Sequence, residues 1–178
     1  MAVDKYSRDY RLIDSVDDRG RIRTETEYIG QSYRFAEGEG AARSAAKRMA
    51  LLCMLAWLSY LAALLIPSTA MKTLYAALPC AFTALPLWLL SSAVLTALRL
   101  RVPFVHRDAD RLNFRLPAAA VFSALFPAFA LIGKLLSLLF AHPAMLPGDW
   151  VFLAGNGLCL LFVLLCRRLR GRVAAEAF

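Results

Sequence analysis

Four apolar blocks dominate the chain, at residues 49–66, 74–98, 116–140 and 150–166, with shorter or more polar segments between and around them. A bilayer crossing takes roughly 17 to 25 predominantly apolar residues, so each block predicts a transmembrane helix. The first and last sit at the short end of that range and extend helically through Ala45 and Ala46 and past Leu169. Taken in order, the blocks form two hairpins joined by residues 99–115, RLRVPFVHRDADRLNFR. The fold class expected is therefore an all-α integral membrane protein with four transmembrane helices, preceded by a small strand-forming segment.

That segment has a period of two rather than a long apolar run. Ile22, Thr24, Thr26 and Tyr28 alternate with Arg21, Arg23, Glu25 and Glu27, the pattern of a half-exposed strand. Upstream, Tyr10, Leu12, Asp14 and Val16 alternate less cleanly, and Asp17, Asp18, Arg19 and Gly20 supply turn chemistry between the two. A β-hairpin over 10–29 is expected. A two-stranded ribbon is marginal alone in water, so it should pair with a second chain, pack on the 99–115 loop or stay partly unfolded. Tyr33 and Phe35, flanking Arg34, are placed at the headgroup level as a short interfacial piece. The organisation that follows is a tail over 1–40, a four-helix domain over 41–166 and a basic tail over 167–178. The first helix starts near Ala42 and ends at Pro67.

Prolines and small residues refine the helices. Pro79, Pro86 and Pro127 each remove a backbone hydrogen bond inside a span and predict kinks. Ala120, Ala124 and Ala128, the pairs Ala77 with Ala81 and Ala93 with Ala97, and Gly155 with Gly157 mark faces where helices approach closely.

Composition agrees with a polytopic membrane protein: 60% of residues are hydrophobic and 19% charged, too few polar residues to cover four such helices in water. The charges sort by side. Ten Lys and Arg precede the first block, five lie in 99–115 and four follow the last block, whereas the other two loops hold only Lys72. Positive loops stay on the cytoplasmic side, so both termini and the central loop are expected there. The net charge of +8 is then a topology signal; nucleic acid is not an expected partner, because nine carboxylates interleave with the basic residues of the tail. Arg167, Arg168, Arg170 and Arg172 are candidate contacts to lipid headgroups. The first apolar block follows 48 mostly polar residues, so it reads as a signal anchor rather than a cleaved signal peptide. A bacterial inner (plasma) membrane is the expected location.

Chemistry is sparse. Lys134 is the only charged side chain well inside a predicted span, and intramembrane charges are functional candidates by default. It either snorkels to the outer surface, pairs within a helix interface, or joins a polar layer with Asn156, Ser59, Tyr60 and Thr83, in which Asn156 is its expected direct contact. No carboxylate falls within the four blocks. His106, Asp108 and Asp110 alternate as metal ligands can, but a polar loop accounts for them more simply. Cys53, Cys80, Cys159 and Cys166 read as small buried apolar residues, with no disulfide framework, metal spacing or cofactor motif. Small multidrug transporters carry an acidic residue in the first span, vitamin K epoxide reductases a CxxC pair, and claudins and tetraspanins cysteine-bearing external loops; this chain has none of these. The function expected is non-enzymatic, an accessory or scaffold subunit presenting its tail to a membrane or cytosolic partner or to a further copy of itself. The alternative is a small oligomeric transporter or channel, or a transporter subunit, using the Lys134 and Asn156 layer.

Overall fold

The computed structural model describes residues 9–16, 22–141 and 144–178, with backbone alone at 14–16, 22–25 and 141. Helix α1, Glu39–Leu65, begins behind Gly38, whose φ of 87° only glycine adopts without strain. It stops where Pro67 forces Ile66 into an extended conformation. The second span is two helices, α2 (Leu74–Phe82) and α3 (Ala84–Arg99), which meet at Thr83. The break has a local cause. Pro86 cannot donate to the Phe82 carbonyl, and the Thr83 N–H is shared between the Pro79 and Cys80 carbonyls at 3.1 Å each. Pro127, by contrast, lies inside an uninterrupted helix, α5 (Leu116–Ala141).

Two spans are longer than hydropathy alone predicts. Helix α4 (His106–Asp110) and a π-helical turn (Arg111–Arg115) run straight into α5, so more than half of the expected central loop is helix. Helix α6, Pro147–Leu169, starts ahead of the expected 150 and continues through a 3₁₀ turn at Arg170–Val173. All four resulting rods, Glu39–Leu65, Leu74–Arg99, His106–Phe140 and Pro147–Val173, are long and apolar enough to cross a membrane.

The rods close into a ring. Helix α1 packs on α6 and α3, and α5 packs on α6, α2 and α3. Ala42, Ala45, Ala46, Met49, Cys53, Ala56, Tyr60 and Ala63 recur at helical spacing as the buried face of α1. Against it, a methyl group at Gly155 of α6 would lie 2.6 Å from the Ser59 carbonyl, so the helices meet backbone to backbone there; Gly157 faces open space. Ala93 and Ala97 are buried as expected, whereas on α2 the buried positions are Ala76 and Cys80 rather than Ala77 and Ala81. Ala120 is buried beside Ala119, with Ala124 and Ala128 half-buried. Large apolar side chains such as Leu58, Trp88, Phe122 and Phe140 point outward. Small residues inside and large ones outside is the arrangement of helices packing in hydrocarbon.

Strands β1 (Tyr10–Val16) and β2 (Ile22–Tyr28) pair antiparallel with Tyr10 opposite Tyr28 and Val16 opposite Ile22. The expected turn at Asp17, Asp18, Arg19 and Gly20 lies outside the described residues. A second pair was not expected: β3 (Tyr33–Phe35) runs antiparallel to β4 (Ala175–Ala177). Phe35, placed at the headgroups by sequence, is instead buried against Phe104 with ring centroids 5.1 Å apart.

Candidate functional site

Two polar assemblies occupy opposite ends of the bundle. At the end away from the termini, α6 opens with Pro147, Gly148 and Asp149, and proline in the first turn with an acid at the third position is helix-start chemistry. The Asp149 Oδ2 accepts from the Leu146 N–H at 2.8 Å, tying off one of the donors a helix start leaves unpaired. Its Oδ1 accepts from the Thr69 N–H and the Thr69 hydroxyl, both at 2.8 Å, and lies 2.9 Å from the Lys134 ammonium. Lys134 Nζ also donates to Thr69 Oγ1 at 2.5 Å. Every group aimed at the carboxylate is a donor, so the site is built for its charged form.

Close backbone contacts hold these partners together. A methyl group at Gly148 would collide with the Pro67 carbonyl, which brings the start of α6 onto the turn that carries Thr69. Pro79 leaves the Tyr75 carbonyl without its intrahelical donor, and Gly133, next to Lys134, packs onto that same carbonyl, where an added methyl would come within 2.5 Å. The side chains of Lys134 and Asp149 have no solvent-accessible surface.

This arrangement decides between the alternatives for Lys134, in favour of pairing between helices, and corrects its expected contact. Lys134 does not snorkel: it turns into the bundle and ends on Asp149 and Thr69. Its direct partner is not Asn156, whose amide donates to the Phe152 carbonyl at 2.9 Å and whose Oδ1 finds no hydrogen-bond partner among the described residues. The other members of the expected layer mostly bond back along their own helices: the Ser59 hydroxyl donates to the Leu55 carbonyl (2.9 Å) and the Thr83 hydroxyl to the Pro79 carbonyl (3.0 Å). Only Tyr60 crosses, its hydroxyl 3.5 Å from the Ala81 carbonyl. Asn156, Thr83 and Tyr60 are buried, and the hydrogen bonds described for them end on backbone carbonyls rather than on Lys134. Sequence reading missed Asp149 and Thr69, because both fall in segments that hydropathy assigns to loops.

At the terminal end, three segments distant in sequence are knitted into one cap. Tyr33 exchanges backbone hydrogen bonds with Phe104 at 3.0 and 3.1 Å. The Asn113 amide donates to the Ala175 carbonyl (2.9 Å) and its oxygen accepts from the Ala175 N–H (3.0 Å), so a side chain imitates a strand neighbour. Arg172 lies 3.9 Å from Glu37 across the tails. Arg167, Arg168 and Arg170 are exposed around a shallow depression shared with Leu161, Leu164 and Leu165.

His106 anchors the ribbon to this cap. Its backbone N–H donates to the Tyr28 hydroxyl oxygen at 2.9 Å, its Nδ1 lies 3.3 Å from Asp9, its Nε2 lies 3.6 Å from Asp110, and its ring stacks on Tyr33 at 5.5 Å. Asp108 turns instead toward Arg111 at 3.5 Å. Among the described residues no three His, Cys, Asp or Glu side chains gather as a metal site would require. Beyond its anchor the ribbon carries Leu12, 71% exposed, with Tyr10, Ile13 and Ile29 also exposed. The Ile29 N–H donates to the Asp9 carbonyl. Because hydrogen-bonded and open pairs alternate along an antiparallel ladder, the open pairs include Leu12 with Thr26, whose backbone groups face outward along the two edges.

No family model, curated protein or solved structure matches the chain.

Proposed function

We propose that this chain is a non-enzymatic accessory or scaffold subunit of a bacterial inner membrane, with both termini cytoplasmic, and that it recruits its partner through the β1–β2 ribbon. The observation that carries this reading is a two-stranded ribbon, anchored through Tyr28 and Asp9 to His106, with exposed apolar side chains and, among the described residues, no further strand on either edge. A ribbon of this size gains most from a third strand. Strand addition supplies main-chain hydrogen bonds for affinity and side-chain contacts for specificity. The concentration of Lys and Arg at the terminal end supports the orientation.

The transport alternative has less support. Its lysine is engaged by Asp149 and Thr69, and neither of the two cavities described touches it.

Purification in mild detergent at native expression, with mass and composition of the complex determined, tests the proposal. A stoichiometric partner that is lost when residues 1–31 are removed is the expected result. An intact monomer carrying no partner contradicts it.

A further inference from the structure

An open groove of about 660 Å³ lies between α3 and α5, on the side facing the surroundings. Its shape follows from the residues that face each other. Ala93 on one helix and Ala118 and Ala119 on the other leave a slot that larger side chains would fill. Deeper along the slot the walls become Leu85, Leu89, Phe122 and Phe126. At the terminal end the lining changes character to Arg111 and Arg115, one helical turn apart on the π-helical turn. Wide turns of this kind recur at functional sites.

We infer that this groove is a binding site for an anionic phospholipid, with the acyl chain between α3 and α5 and the phosphate on Arg111 and Arg115. Charge complementarity selects the occupant. Arg115 is exposed and has no carboxylate partner among the described residues; Arg111 has one, Asp108 at 3.5 Å, so the mouth keeps a net positive charge. Arginine presents a fork of donors that matches phosphate oxygens. Depth agrees as well. From Arg115 to Phe126 the helix rises about 16 Å at roughly 1.5 Å per residue, close to one leaflet of the roughly 30 Å hydrocarbon core. The hydroxyls of Ser92 and Thr96 along the same wall donate to the Leu89 and Ser92 carbonyls, so they do not break its apolar character. This site is separate from Arg167, Arg168 and Arg170 on α6 and its following turn, where the depression is lined mainly by the arginines and three leucines.

The test uses the full chain in detergent, equilibrated with phosphatidylglycerol and phosphatidylcholine of matched chains, with bound lipid counted by native mass spectrometry. Stoichiometric phosphatidylglycerol, retained in preference to phosphatidylcholine, is expected. Arg111→Gln with Arg115→Gln weakens that retention about thirtyfold, from roughly fivefold per arginine near a headgroup. Ala118→Trp, which fills the slot, removes both lipids, and because Ala118 is exposed this variant decides the matter if the arginine variant does not fold. Arg167→Gln with Arg168→Gln leaves the preference unchanged, and glycerophosphate, which has the phosphate without the chain, does not displace the lipid. Equal retention of both lipids by the wild type, unchanged retention in the Arg111 and Arg115 variant or in Ala118→Trp, or displacement by glycerophosphate overturns the inference.

Discussion

At one end of the bundle Lys134, Asp149 and Thr69 engage one another with the charged side chains wholly removed from solvent; at the other, the ribbon holds Leu12 and Thr26 with their backbone groups along open edges. The first assembly joins three separate segments: the turn after α1, helix α5 and the start of α6. The second joins its anchor residues to the body and leaves the rest available. A buried ion pair is weak evidence for stability but strong evidence that its partners must stay together, since removing one strands the other. The difference between the ends therefore separates a structural clamp from the surface we propose for a partner, although both are polar islands in an apolar chain.

Breaking the clamp should have the largest effect on stability. Lys134→Met leaves the Asp149 carboxylate buried without its counter-charge, and a loss of about 3 kcal/mol is expected, the low end for a buried pair because this one lies near the end of the bundle. Thermal unfolding in detergent reads this. Adding Asp149→Leu should recover most of the loss, since replacing both charges by apolar groups is often near neutral. If Lys134→Met unfolds normally but abolishes a transport flux, the clamp is a site and the comparison fails.

Gly148→Ala comes next. Its methyl group meets the Pro67 carbonyl, and overpacking of this kind costs about 2 kcal/mol, seen as a lower unfolding temperature. Thr69→Val removes the hydroxyl that donates to Asp149 and accepts from Lys134 while keeping the shape, for about 1 to 2 kcal/mol. At the terminal end the effects shrink. Asn113→Ala loses two exposed hydrogen bonds to Ala175; the bundle should unfold as before, with the C-terminal strand cut sooner by protease. A fall in bundle stability as large as that of Lys134→Met would erase the contrast between the two ends.

How much of this was legible in the sequence depended on how far each feature reached along the chain. The four apolar blocks and the alternation at 10–16 and 22–28 are local periods, and they foretold the rods and the ribbon strands. His106 to Arg115 did not read as helix because hydropathy weighs its charges as loop, although Asp108 and Arg111 are spaced to pair along a helix. Asp149 was excluded from the fourth span for the same reason; Pro147, Gly148 and Asp149 were the signal that would have moved the helix start back over it. The partnership of Lys134 with Thr69, and that of β3 with β4, had no local signal at all. Thr69 and Asp149 lie 80 positions apart, and strands of three residues are too short to show a period.

The most direct test of the account substitutes one residue on the ribbon edge. Leu12→Pro deletes the outward N–H of β1 without touching a ladder hydrogen bond, as proline at an edge allows, whereas Leu12→Ala trims the side chain and keeps the N–H. Complex mass in mild detergent is measured for the wild type and both variants, alongside thermal unfolding. The account predicts a stoichiometric partner on the wild type, its loss in Leu12→Pro, its retention at least in part in Leu12→Ala, and the same unfolding temperature in all three. A partner that stays on Leu12→Pro, as well as on Thr26→Pro at the opposite edge, contradicts recruitment by strand addition.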